Sequence, residues 1–132
     1  NFKSPFFMTQ YYINNCLTGH VVNILDTKIQ SNQATRFTAY NLSKKVMMHL
    51  TRMTALDLAP KFRVNGIAPG PVLRANHSSE AEFQKKIRET PLKLEISEQT
   101  ISSALNYLVE NQNLTGQIIY CDNGAHLNSL ET

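Results

Sequence analysis

Two side chains that could share one proton transfer stand four residues apart, in Thr38-Ala39-Tyr40-Asn41-Leu42-Ser43-Lys44. On a helix that step places the Tyr40 phenol and the Lys44 ammonium on one face. A nearby ammonium favours the phenolate, so the spacing predicts a Tyr40 pKa below its usual value of about 10. A phenol tuned in this way is a usable proton donor in the reduction of a carbonyl or an imine. The spacing alone has little specificity, because many helices carry it by chance. It gains weight from the segment downstream, Arg63-Val64-Asn65-Gly66-Ile67-Ala68-Pro69-Gly70-Pro71, which closes in a Pro-Gly turn.

The elements that must position this pair can be read from periodicity. Residues 3–16 have helical spacing and stop before Gly19. Val21 to Leu25 is short, apolar and rich in β-branched residues, which predicts a buried parallel strand. A polar, irregular stretch covers 27–37. A long helix is predicted over 38–58, with Leu42, Val46, Leu50, Met53 and Leu58 at helical spacing and Pro60 ending it. Phe62 to Ile67 reads as the next strand, followed by a loop to about His77 and a polar helix from Ser79 to Arg88. Ser97 can cap a further helix to about residue 110, and Ile118 to Cys121 is the last strand. Strand, crossover helix, strand is the βαβ unit of a parallel sheet, in which ligands bind beyond the carboxyl ends of the strands. Asp26 and Ala68-Pro69-Gly70 follow two such ends, and Tyr40 and Lys44 open the crossover helix near the same edge. The expected fold class is α/β.

Five ordered landmarks resemble the short-chain dehydrogenase/reductase family. They are Asn1-Phe2-Lys3-Ser4-Pro5-Phe6-Phe7, the strand Val21-Val22-Asn23-Ile24, the Tyr40/Lys44 pair, Pro69-Gly70, and Leu114-Thr115-Gly116-Gln117-Ile118-Ile119 with Asp122-Asn123-Gly124. The resemblance implies the C-terminal half of a Rossmann-like doubly wound sheet, with residues 1–132 as the catalytic half of one reductase domain. It implies NADPH as cofactor, with NADH as the alternative. Asn1, Tyr40 and Lys44 would be catalytic. Pro69, Gly70, Pro71 and Val72 would join Tyr40 and Lys44 at the nicotinamide end, with Leu73 on the substrate side. The family's Gly-rich pyrophosphate turn is missing: the five glycines stand at 19, 66, 70, 116 and 124. The expected account is therefore a piece of a longer enzyme, or the product of a split gene.

The position that usually holds a catalytic Ser departs from the common pattern. Counting seven residues on from Gly19 reaches Asp26, whereas counting thirteen back from Tyr40 reaches Thr27. A strand is more rigid than a loop, so the count from Gly19 is preferred and Asp26 becomes the fourth catalytic candidate. An Asp here is the pattern of the family's pteridine reductases, the bacterial dihydromonapterin reductases among them. A carboxyl suits the ring nitrogens and amino group of a reduced pterin better than a ketone oxygen does. The expected reaction is hydride transfer to a dihydropterin C=N, with Asp26 also contacting substrate. A plain turn-capping role for Asp26, an ordinary 3-oxoacyl or other carbonyl reductase, and a non-catalytic interaction subunit remain open. His126 is a candidate for lining the site through the C-terminal tail, and Arg74 for meeting phosphate or substrate.

Composition narrows the classes. The net charge of +3 is small and the basic residues are scattered, which argues against a nucleic-acid groove. No run approaches the roughly 18 apolar residues of a membrane span. Cys16 and Cys121 lack metal spacing and are expected to be buried free thiols in a reducing cytoplasm. No metal site is expected. The resemblance implies a homodimer or homotetramer built through helices 3–16 and 38–58.

Overall fold

The computed structural model describes residues 1–31, 37–76 and 78–129. Residues 32–36 of the polar stretch and His77 lie outside the described residues. Three parallel strands form one sheet in the order β1 (Gly19–Ile24), β2 (Phe62–Pro69), β3 (Ile118–Cys121). The register runs from Gly19 opposite Phe62 to Ile24 opposite Ile67, and from Gly66 opposite Ile118 to Pro69 opposite Cys121. Helix α1 (Lys3–Asn15) precedes β1, and α2 (Thr38–Asp57) crosses from β1 to β2. Helices α3 (Glu80–Arg88) and α4 (Glu98–Glu110) fill the connection from β2 to β3. Short 3-10 turns follow β1 at Thr27–Gln30 and β3 at Ala125–Ser129. The chain is thus α/β, as its pattern of runs predicts, with β2 two residues longer than expected.

β2 is central and therefore buried along nearly its whole length on both faces, although it carries Arg63 and Asn65 among its apolar residues. Ala68 packs with Leu25, Ile29, Met47 and Met48 on the side of α2. Ile67 packs with Leu108 and Cys121 on the side of α4. One polar pair belongs to this core: Asn23 Nδ2 donates to Thr51 Oγ1 at 2.9 Å, and that hydroxyl donates to Met47 O at 2.7 Å. Satisfied in this way, the two groups tie β1 to α2 without leaving an unpaired buried atom.

The buried face of α2 corrects one sequence expectation. Met47, Met48, Thr51 and Ala55 face the sheet, whereas Leu42, Val46 and Met53 of the predicted apolar stripe are exposed. The helix has two apolar faces, and periodicity does not say which one the sheet takes. The face that packs continues the row Tyr40, Lys44, Met48, Thr51, Ala55 at steps of three and four. Burial of that row aims the Tyr-Lys pair at the sheet edge. Cys16 also departs from expectation: it caps α1 as an exposed free thiol, because no α1 residue is buried, while Cys121 is buried.

Candidate active site

Beyond the carboxyl end of β1 the chain turns at Asp26, whose backbone is extended (φ −157°, ψ 147°) before the 3-10 turn begins. Its carboxylate serves two masters. Oδ1 accepts the Lys28 N–H at 2.8 Å, capping the turn, and Oδ2 accepts the Tyr40 hydroxyl at 2.8 Å. The capping role and the contact with Tyr40 therefore coexist. Thr27, the other residue reached by counting, instead donates its hydroxyl to Asp122. Lys44 Nζ donates to Ile24 O at 2.7 Å and lies 5.8 Å from the Tyr40 ring centroid. The fold thus brings Asp26, Tyr40 and Lys44 together from two elements.

The electrostatics run opposite to the expectation for Tyr40. Burial, then the Asp26 charge and its hydrogen bond, push the Tyr40 phenol far above its ordinary value. Burial also lowers Lys44, with Asp26 opposing that shift. The ammonium lies over the ring rather than at the hydroxyl, and burial and the carboxylate at the hydroxyl both act to raise the phenol. At neutral pH Tyr40 is a protonated phenol.

The second strand end supplies a shelf. Gly70 N donates to Cys121 O at 3.0 Å and Val72 N to Gly70 O at 2.9 Å, folding Pro69-Gly70-Pro71-Val72 across the sheet edge. A Cβ on Gly70 would sit 2.9 Å from the Asp122 backbone, so only glycine permits this approach. On one side of the shelf is a cavity of about 490 Å³ whose walls include Asp26, Thr27, Leu73, Phe83 and Thr90. On the other, Val72 and Leu73 meet Glu98, Ile101 and Ser102 around about 450 Å³. Leu73 is largely exposed and borders both. A larger cavity of about 710 Å³ opens at the opposite ends of the strands, around Gly19, His20 and Arg63, away from this chemistry.

Other expected residues lie apart. Asn1 is exposed ahead of α1, and among the described residues no hydrogen bond joins it to Asp26, Tyr40 or Lys44. Arg74 is engaged locally, donating to Ser78 O at 2.6 Å with Glu80 at 3.6 Å. His126 stacks on Tyr120 at 4.1 Å and bonds Asp122. Sequence reasoning missed the Thr27–Asp122 bond, since the partners are 95 residues apart and Asp122 reads simply as a turn residue. Among the described residues no group of three or more His, Cys, Asp or Glu could hold a metal, and no helix is long and apolar enough to cross a membrane.

The donor set suits the nicotinamide riboside end of a dinucleotide. Tyr40 offers a hydroxyl, Lys44 has further N–H groups beyond the one on Ile24 O, and the Pro-Gly shelf gives a planar ring an apolar surface. Among the described residues no glycine directly precedes α1, α2, α3 or α4, the kind of helix start that receives a pyrophosphate in a Gly-rich turn.

A family model described as enoyl-(acyl carrier protein) reductase matches residues 1–126. The dihydromonapterin reductase of Klebsiella pneumoniae subsp. pneumoniae is 27% identical over 127 residues, 92% of this chain and 52% of that protein. An uncharacterised oxidoreductase of Mycobacterium tuberculosis is 34% identical, over 86% of this chain and 45% of its own. The crystal structure of FolM alternative dihydrofolate reductase 1 from Brucella suis, in complex with NADP, superposes with a TM-score of 0.88 at 33% identity. That match covers 95% of this chain and 51% of the Brucella chain. The chain spans about half the length of the curated relatives it matches.

Proposed function

The chain belongs to the short-chain dehydrogenase/reductase family, and from that premise we propose that it is the nicotinamide-side half of a reductase acting on a dihydropterin C=N bond. The observation that carries the reading is the Asp26 carboxylate on the Tyr40 hydroxyl at 2.8 Å, beside a cavity at the carboxyl end of the sheet. A carboxylate accepts hydrogen bonds and repels a carbonyl oxygen, so it suits a substrate that presents N–H groups. The names of the Klebsiella and Brucella relatives support a pterin, and the NADP complex supports NADPH over NADH.

A reduced nicotinamide held at this end would supply hydride to the carbon of the C=N bond. Tyr40 gives the ring nitrogen its proton, and Lys44 stabilises the phenolate left behind. Asp26 accepts the pterin N–H and amino donors. When those donors take up Asp26 Oδ2, they replace its hydrogen bond from Tyr40, and the phenol O–H is released from Asp26 to the substrate nitrogen. Pro69, Gly70, Pro71 and Val72 support the nicotinamide end, and Leu73 borders the substrate. Asn1 enters as a water-positioning group on the family resemblance alone. The exposed apolar face of α2, with Leu42 and Met53, and that of α1, with Met8 and Tyr11, form the surface for a homodimer or homotetramer.

The test uses the full-length enzyme with NADPH and a dihydropterin. Turnover is expected, and Tyr40→Phe should lower it at least about a hundredfold with little change in nucleotide affinity. Full turnover in the Phe variant would remove the proton-donor role. Activity on a 3-oxoacyl thioester and on no dihydropterin would replace the reading with a carbonyl reductase. Activity on neither would favour a non-catalytic interaction subunit.

A further inference from the structure

Asp122, in the turn after β3, is only 1% exposed. Its oxygens collect donors from two directions. From its own turn come Gly124 N at 3.1 Å, His126 N at 2.8 Å and the His126 ring nitrogen Nδ1 at 3.0 Å. From the turn after β1 comes the Thr27 hydroxyl. Burial alone would raise the carboxyl, but the bonds from Thr27 and His126 outweigh it and hold the group below its usual range. Asp122 is therefore an ionised buried anchor at neutral pH. The His126 ring stacks on Tyr120 at 4.1 Å, and the Tyr120 hydroxyl accepts from Gln30 Nε2 at 2.5 Å.

The segment that follows Asp26 is thus pinned at its first residue, Thr27, to the turn after β3, and at its last, Gln30, to β3 itself. Asp26 is in extended backbone immediately before the first pin. Its side chain must reach Tyr40 with one oxygen and Lys28 N with the other. A displacement of residue 27 carries Asp26 with it.

We propose that Thr27 and Asp122 are positioning residues, whose mutual bond holds the Asp26 carboxylate on the Tyr40 hydroxyl. The inference rests on the reading of Asp26 and Tyr40 as the reacting pair. It assigns work to the end of the chain: the turn after β3 sets the geometry of a group 96 residues earlier (122 − 26).

The experiment compares Thr27→Val, which removes the hydroxyl at nearly constant shape, with Thr27→Ser, which keeps it, in the full-length enzyme. Tyrosine is isotope-labelled at Cζ for NMR. Tyr40→Phe identifies the Tyr40 line, and Asp26→Ala gives its position without the carboxylate. Thr27→Val should move the line toward the Asp26→Ala position and lower kcat for a dihydropterin roughly tenfold, with KM for NADPH unchanged. Thr27→Ser should retain both the line and the rate. If Thr27→Val does not fold, His126→Phe keeps the stack on Tyr120, removes the ring donor to Asp122, and should move the line in the same direction. An unmoved line in the folded variant, or equal loss in Val and Ser, overturns the proposal. Absence of pterin turnover in the unaltered enzyme counts against the pterin reading instead, and the NMR comparison still decides this one.

Discussion

Asp26 and Asp122 are two carboxylates in the same corner of the molecule, and their surroundings assign them different work. Asp26 divides its oxygens between a backbone N–H and a phenol, and it borders a cavity that a substrate can enter. Asp122 is enclosed and fully occupied by donors. Its folded pKa lies below its unfolded one, so its ionisation stabilises the fold above the ordinary carboxylate value, and that contribution is lost as pH falls through the folded value. Asp122→Asn should therefore lower the thermal midpoint at pH 7. The gap from the unaltered protein should narrow below about pH 4. A gap that stays constant from pH 7 to strong acid would contradict an ionised Asp122. Tyr40 shows what spacing can and cannot tell at this scale. The four-residue step to Lys44 is a property of the helix and was legible. The direction of the phenol shift was not, because it depends first on burial of the hydroxyl and then on Asp26, which only the turn after β1 brings to it.

Elements position these side chains through ordinary local chemistry. Helix α3 brings Phe83 to the cavity wall, and its start is fixed by a capping box: the Ser79 hydroxyl accepts Glu82 N, and the Glu82 carboxylate accepts Ser79 N at 2.8 Å. Ser79→Ala removes one half of that box and should destabilise the protein by about 1 kcal/mol, read as a lower denaturation midpoint. An unchanged midpoint would mean that packing, not the cap, holds the helix. Strand positions were readable because β1, β2 and β3 each centre on a few β-branched or other apolar residues between turns. The orientation of α2 was not. Leu42, Val46 and Met53 form as good a stripe as Met47, Met48 and Ala55, and the face the sheet takes is the second, on which Thr51 pairs with Asn23 of β1. The Thr27–Asp122 tie was illegible for a simpler reason, since no local period links residues so far apart.

At the scale of the whole molecule, the exposed stripe of α2 and the open flank of α1 are the places where more protein is expected. Met53 and Leu56 are 63% and 80% exposed, a large apolar presence for a surface helix. Met53→Glu in the full-length enzyme should shift its light-scattering mass toward the monomer. An unchanged oligomer would move the subunit contact elsewhere. The fold supports a family of reactions, and the site selects among them. The selection rests on Asp26, so the most direct measurement is the initial rate of the full-length enzyme and its Asp26→Ser variant with NADPH, on a dihydropterin and on a 3-oxoacyl thioester. A site built to accept pterin donors loses a polar substrate strongly when its acceptor is replaced. Asp26→Ser should lose dihydropterin reduction while fold and nucleotide binding persist. Equal dihydropterin rates in the two proteins, or a carbonyl substrate preferred by the unaltered enzyme, would contradict it.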